Sequence, residues 1–158
     1  MKVIFLDIDG VMNSEDWYRF IEDTGLDKSQ GINRDIDYRG LDIDYRAVKL
    51  LKLYIETHDI HIVISSSWRD ITLKQTLLAL AETPMIDVID RIIGQTPHRY
   101  NGIRGKEIEM WLADHPEVDE FYIIDDDDFD IHQKDRLIKT DYMHGLTQED
   151  LDKMTWKK

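Results

Sequence analysis

The chain has 158 residues, of which 42% are hydrophobic, and a formal net charge of −13. This length suits a single compact domain, residues 1–158, with one core. The sequence has no cysteine, which excludes disulfides and thiolate metal sites. Any bound metal must therefore be held by oxygen or imidazole ligands.

Charge and hydropathy limit the possible partners. No apolar run approaches the roughly 20 residues of a membrane span, and no signal-like apolar region follows Met1. We therefore expect a soluble, cytoplasmic protein without a membrane partner. With 20 Lys and Arg against 33 Asp and Glu, extended binding to nucleic acid is not expected, because such binding requires basic side chains that meet phosphates. A local site for one phosphate is compatible with this charge.

The predicted elements alternate between short apolar strands and amphipathic helices. In chain order they are a strand at 2–6, a helix at 47–56, a strand at 60–64, a helix at 71–81, a strand at 91–93, a helix at 105–113 and strands at 120–124 and 136–139. Thr147 is the predicted N-cap of a closing helix, with Asp150 in the capping-box position. Strands that alternate with helices indicate an α/β fold with a mostly parallel five-stranded sheet between helices.

Residues 12–45 form a small, cap-like insert after the first strand. The insert contains two similar heptads, DIDYRGL from position 35 and DIDYRAV from position 42, and two copies are too few for a repeat architecture. Trp17, Tyr18 and Phe20 either pack on the core or stack on a base, and packing is the favoured interpretation. The insert itself does not indicate a substrate.

Polar clusters follow three of the predicted strands. Asp7 and Asp9 follow the first strand, the serines of the stretch SSSWR follow the second, and four aspartates from Asp125 follow the fourth. Parallel sheets bind ligands outside the carboxyl ends of their strands, so these clusters should face one crevice. Each cluster alone could be an ordinary loop. Together, carboxylates from two strand ends would repel one another without a divalent cation, and Mg²⁺ commonly binds a few carboxylates together with a substrate phosphate.

The order of these motifs resembles a known superfamily. The stretches DIDGV, an apolar strand followed by serine, a basic residue that opens a helix, and IIDD are similar to the haloacid dehalogenase (HAD) superfamily of phosphohydrolases, which has a Rossmann-like fold. The stretches ISSSWR, IIGQT, RGKEIEMWL and KTDYMHGLT look most like the HAD domain of the Swiss Army Knife RNA repair proteins. There is a looser similarity to the 3′-phosphatase domain of polynucleotide kinase-phosphatases.

The resemblance implies roles for the motif residues. Asp7 would be the nucleophile that forms a phosphoaspartyl intermediate, and Asp9 the general acid and base. Ser65 would hold a phosphate oxygen, and Lys106 would be the basic residue of the third motif, with Arg104 as the alternative. Four aspartates would form the Mg²⁺ site, namely Asp7, Asp9, Asp125 and Asp126.

Further residues are candidate contacts or neighbours of the site. Gly10 would let the backbone turn near the phosphate. Ser66 is a second candidate for the phosphate hydroxyl, and Arg69 could contact a phosphate oxygen pair. Asp127 and Asp128 are expected to be solvated neighbours, and Asp130 a possible outer ligand.

These features predict a Mg²⁺-dependent phosphomonoesterase that acts on a nucleotide or on a 3′-phosphorylated nucleic-acid end. The alternatives are a phosphatase of another small phosphorylated metabolite, or a catalytically silent domain that binds Mg²⁺ or a partner. A receiver domain also gathers carboxylates around Mg²⁺. However, it would place its acidic pair after the first strand and its phosphorylated aspartate later, whereas here DID comes first and the adjacent pair comes late.

Overall fold

The computed structural model of the protein describes residues 1–25, 42–70, 72–99 and 102–157, with the side chains at 69 and 70 excepted. Five strands form one sheet: β1 (Lys2–Leu6), β2 (Ile60–Ile64), β3 (Ile92–Gln95), β4 (Glu120–Asp125) and β5 (Leu137–Lys139). All their pairings are parallel and the spatial order is β3-β2-β1-β4-β5. The predicted fold class is confirmed.

Four helices lie between successive strands, and a fifth follows the last strand. They are α1 (Glu15–Thr24), α2 (Tyr45–His58), α3 (Leu73–Ala81), α4 (Arg104–Ala113) and α5 (Gln148–Asp152), with 3₁₀ segments at Ser67–Asp70, Pro84–Arg91 and Lys134–Arg136. Thr147 caps α5, and Asp150 completes the predicted capping box. No helix among the described residues is long and apolar enough to cross a membrane.

The alternation of side chains along β1 divides the core into two layers. Ile4 and Leu6 join the larger cluster, which includes residues of α2, α3 and α5, whereas Val3 and Phe5 join the cluster that contains Ile108 of α4. Because successive strand residues point to opposite faces, the residue after Leu6 faces the α4 side. This places Asp7 under the first turn of α4.

The described ends of the insert pack onto the core. Trp17 is 5% exposed and stacks on Phe20, with ring centroids 5.5 Å apart, and the Arg46 guanidinium lies 5.6 Å from the Trp17 ring. Of the three aromatic residues expected to pack, Trp17 is buried, Tyr18 is partly buried and Phe20 is 43% exposed. The first heptad of the insert, from position 35, lies outside the described residues.

Candidate active site

Three central strands end in a row of polar residues. β1 lies in register with β2 and β4 up to its last residue, and the ladder continues one step further. The Asp7 amide donates to the Ile124 carbonyl over 2.9 Å, and the Ser65 amide donates to the Leu6 carbonyl over 2.8 Å. Asp7, Ser65 and Asp125 therefore lie side by side at the carboxyl edge of the sheet.

Three carboxylates converge at this edge. Asp7, Asp125 and Asp126 each offer an oxygen that lies within 4.8 Å of the others. Asp7 is 6% exposed and Asp125 is 3% exposed, so their charges are largely removed from water. Oxygen donors in this number suit a hard cation such as Mg²⁺, which completes its shell with water or phosphate oxygens. The donor set therefore fits a divalent metal.

Arg104 provides positive charge inside this cluster. Its Nη1 atom lies 3.3 Å from Asp7 Oδ1 and 3.2 Å from Asp125 Oδ2. Arg104 is the first residue of α4. Two hydrogen bonds hold its first turn: the Gly105 amide donates to the Asp130 carbonyl over 2.9 Å, and Gln133 Nε2 donates to the Gly105 carbonyl over 2.9 Å. The guanidinium is thus held between the two most buried carboxylates of the cluster.

The cluster is electrostatically unfavourable without a cation. Burial and the neighbouring Asp125 charge together raise the pKa of Asp7 to about 7, against the opposing effect of Arg104. Burial also raises the pKa of Asp125 to about 6, again opposed by Arg104, and raises the pKa of Asp126. A single arginine therefore compensates only part of the repulsion, and a divalent cation would compensate more.

The serines after β2 have different surroundings. Both are almost fully buried, and the Ser66 hydroxyl hydrogen-bonds to Asp7 and accepts from the Trp68 amide over 3.3 Å. The hydroxyls of Ser65 and Thr96 are buried without a hydrogen-bond partner among the described residues. Thr96 continues the same row, because its amide donates to the Ile64 carbonyl over 2.9 Å. Ser65 thus keeps a hydroxyl available beside Asp7 for an added oxygen.

The Asp9 carboxylate lies apart from the three-carboxylate cluster. Asn13 Nδ2 donates to Asp9 Oδ1 over 2.9 Å, and Trp68 Nε1 donates to both Asp9 oxygens over 3.1 and 3.2 Å. Ser67 Oγ adds a longer bond of 3.4 Å. The Asp9 side chain is thus held by neutral donors beside the cluster, and its predicted role as a metal ligand stays a prediction.

Gly10 forms the turn that brings Asp126 into the site. Its φ is +73°, and a Cβ at this position would lie 2.7 Å from Asp126 Cβ and closer still to its carboxylate. Its amide donates to Asn13 Oδ1 over 2.8 Å, and its carbonyl accepts from Thr140 Oγ1 over 2.9 Å. Glycine is therefore required for both the left-handed backbone and the close approach of Asp126.

We expect Gly10→Ala to destabilise the protein by about 2 kcal/mol or more, because left-handed strain adds to displacement of Asp126. Gly25→Ala is the matched control, since Gly25 has a φ of +62° with no atom within 4 Å of the added Cβ. It should cost only about 1 kcal/mol. Urea unfolding of both variants measures the difference, and equal losses would contradict a steric role for Asp126.

Comparison with known proteins identifies the fold family. Residues 3–151 match the family described as the HAD domain in Swiss Army Knife RNA repair proteins. The chain belongs to this family. Neither a curated protein nor a solved structure gives a significant match. The HAD superfamily assignment drawn from DIDGV and IIDD is therefore confirmed, as is the finer resemblance drawn from ISSSWR, and with them membership of a phosphohydrolase superfamily.

The HAD domain brings most of the sequence-predicted site residues to one edge of the sheet. Of the two basic candidates, Arg104 contacts the carboxylates, whereas Lys106 is exposed on α4. Asp127 is exposed, and Asp128 pairs with Lys139 over 3.0 Å. The side chain of Arg69 lies outside the described part of the structure.

Sequence reasoning missed three side chains around the HAD site, namely Asn13, Trp68 and Thr96. Trp68 was visible in the stretch SSSWR, but nothing in that stretch distinguishes a site tryptophan from a core residue. Asn13 lies three residues after Gly10 and carries no motif of its own. Only the folded geometry brings these residues beside Asp9 and Ser65.

Proposed function

We propose that the protein is a Mg²⁺-dependent phosphomonoesterase with Asp7 as its nucleophile. The observation that carries this proposal is the convergence of Asp7, Asp125 and Asp126 around Arg104 at the carboxyl edge of β1 and β4. A buried group of like charges costs stability. Such a group at a ligand-binding edge is typical of a functional site rather than of a structural one.

Each side chain of the site has a distinct role in the proposed reaction. Asp7 attacks phosphorus, and its bond to phosphorus forms as the bond to the leaving oxygen breaks. Asp9 gives a proton to the leaving oxygen and later takes one from the water that hydrolyses the phosphoaspartate. Ser65 donates its hydroxyl to a phosphate oxygen, and Arg104 stabilises charge on the phosphoryl group.

The metal would be held by Asp7, Asp125 and Asp126. When bound, Mg²⁺ supplies positive charge that neutralises phosphate oxygens and keeps the Asp7 carboxylate ionised. Ser66, which hydrogen-bonds to Asp7, orients that carboxylate. Gly10 and its turn keep Asp126 at the site.

The substrate is proposed to be a nucleotide or a 3′-phosphorylated nucleic-acid end. A cavity of about 620 Å³ opens beside Asp126, large enough for a nucleoside-sized leaving group. Its lysines are already paired, Lys139 with Asp128 over 3.0 Å and Lys153 with Asp150 over 2.7 Å. This acidic wall favours a monoester over a polyanion. The family description, which refers to RNA repair, supports a nucleic-acid end.

A phosphate-release screen with Mg²⁺ tests the proposal. The panel contains nucleoside 3′- and 5′-monophosphates, sugar phosphates and 3′-phosphorylated oligonucleotides. Release from the nucleotide members supports the proposed substrate class, and release from sugar phosphates alone would support a metabolite phosphatase instead. If no member releases phosphate although Mg²⁺ binds, the result supports the silent-domain alternative.

We expect about 10 mM Mg²⁺ to raise the thermal midpoint by about 3 °C or more, because the ion binds the assembled carboxylates and not the unfolded chain. Asp126→Ala should reduce this shift, whereas Asp114→Ala, a change at an exposed aspartate after α4, should leave it unchanged. Scanning calorimetry with and without Mg²⁺ measures the effect. A wild-type midpoint that does not respond to Mg²⁺ contradicts a shared metal site.

Oligonucleotide length should have little effect on turnover. We expect kcat/KM for a 3′-phosphorylated dinucleotide to lie within roughly tenfold of that for a long oligonucleotide, since the candidate basic contacts Arg69, Arg104 and Lys106 are few. The salt dependence of affinity should likewise be shallow, with a slope on the order of one to three. A rise of several hundredfold, on the order of 3 kcal/mol, between two and ten nucleotides would indicate an extended binding groove instead.

A further inference from the structure

The two donors with the shorter hydrogen bonds to Asp9 are themselves buried. Trp68 is 6% exposed and Asn13 is 1% exposed. The Trp68 carbonyl accepts from Thr76 Oγ1 of α3 over 3.4 Å, which ties the tryptophan to the helix behind β2. Asn13 accepts the Gly10 amide over 2.8 Å while it donates to Asp9. The Asp9 carboxylate thus accepts hydrogen bonds from Asn13, in the turn after β1, and from Trp68, in the turn after β2.

We propose that Trp68, assisted by Asn13, is a positioning residue that aims the Asp9 carboxyl group at the leaving oxygen of the substrate. This inference rests on the proposed function. In the first step the Asp9 proton moves to the leaving oxygen while the Asp7 oxygen binds phosphorus, and Asp9 becomes a carboxylate. The indole N–H and the Asn13 amide then donate to that new charge, and hydrogen bonds to a charged acceptor are about twice as strong as neutral ones.

A pair of substrates separates this role from a merely structural one. An alkyl phosphate has a poor leaving group that must receive a proton, whereas the leaving group of p-nitrophenyl phosphate is p-nitrophenolate, a stable anion that needs little protonation. The value of kcat/KM covers only the steps up to formation of the phosphoaspartate, so it isolates the first proton transfer. A misoriented Asp9 carboxyl group should therefore lower kcat/KM for the alkyl phosphate selectively.

Trp68→Phe keeps an aromatic ring in the core and removes the N–H donor. We expect it to lower kcat/KM for the alkyl phosphate by about thirtyfold and for p-nitrophenyl phosphate by less than about threefold. Trp156→Phe is the control, because Trp156 Nε1 also donates a hydrogen bond, to Tyr54 Oη over 2.9 Å, at the opposite end of the sheet. The ratio between the two substrates should not change in this control.

The possible outcomes are distinct. If the wild type hydrolyses neither these two substrates nor a nucleoside monophosphate, the proposed function fails. The positioning role is overturned if the wild type is active and Trp68→Phe lowers kcat/KM equally for both substrates or for neither. The proposed phosphatase activity would then still stand. Circular dichroism verifies folding, and if Trp68→Phe does not fold, Asn13→Ala takes its place, with the same selective loss expected and an equal loss overturning the inference.

Discussion

Replacing Asp7 with asparagine is expected to abolish phosphoester turnover and to stabilise the metal-free protein. Asparagine keeps the size of the side chain and removes the attacking charge, so turnover should fall by at least about a thousandfold. The same change removes a buried carboxylate that lies beside Asp125. The thermal midpoint near neutral pH should rise by about 5 °C or more.

The pH dependence of stability gives an independent measurement of this variant. In the folded metal-free protein the pKa of Asp7 is raised from 3.8 to about 7, so the folded state binds more protons than the unfolded state between these values. The contribution of Asp7 is therefore most favourable below about pH 4 and is lost as pH rises to about 7. In Asp7→Asn the free energy of unfolding should not show this part of the decline with rising pH.

Chemical denaturation in the presence of a chelator, from pH 4 to pH 8, measures the two curves. Asp114→Asn serves as a control for loss of one negative charge at an exposed position on the protein. Turnover above a few per cent of wild type, in a preparation free of contaminating phosphatase, refutes Asp7 as the nucleophile. Parallel stability curves for wild type and variant would refute the electrostatic account of the cluster.

Replacing Arg104 with methionine is expected to destabilise the metal-free protein strongly. Its guanidinium lies 3.3 Å from Asp7 and 3.2 Å from Asp125, and removing one partner from a buried charge group costs about 3 kcal/mol. Turnover should also fall by about a hundredfold, because a donor to the phosphoryl group is lost. Added Mg²⁺ should reduce the stability deficit, since it supplies positive charge to the same carboxylates.

Lys106→Met is the matched control for this variant. Both changes remove one positive charge from the first turn of α4, but Lys106 is exposed. We expect Lys106→Met to change the free energy of unfolding by less than about 0.5 kcal/mol. Urea unfolding with and without Mg²⁺ compares the two. A larger loss from Lys106→Met than from Arg104→Met would assign the basic role to the lysine.

The architecture could be predicted from the sequence because the pattern of apolar residues largely determines which segments form buried strands and helices. The strands at Lys2–Leu6 and Ile60–Ile64 were predicted with their observed bounds, since both are short apolar runs bounded by polar residues. The helix predicted at 71–81 begins two residues later, at Leu73, where Thr72 and Gln75 form a capping box. Such boundaries depend on local hydrogen bonds that composition alone does not reveal.

The candidate site was predictable in position but not in detail. The residues at the carboxyl ends of the strands followed from a general rule of parallel sheets. The choice between Arg104 and Lys106 depended on which face of α4 packs against the sheet. The surroundings of Asp9 depended on two turns from distant parts of the chain, which bring Asn13 and Trp68 together. Such contacts between distant parts of the chain cannot be predicted from the spacing of residues in the sequence.

Trapping of the covalent intermediate tests the central claim most directly. The protein is mixed with Mg²⁺ and a ³²P-labelled phosphomonoester that it hydrolyses, quenched in acid during the first turnover, and digested for peptide mapping. We predict a hydroxylamine-sensitive label on the peptide that contains Asp7, and no label in Asp7→Asn. A label on another residue, or undiminished turnover in Asp7→Asn, would contradict a phosphatase built around Asp7.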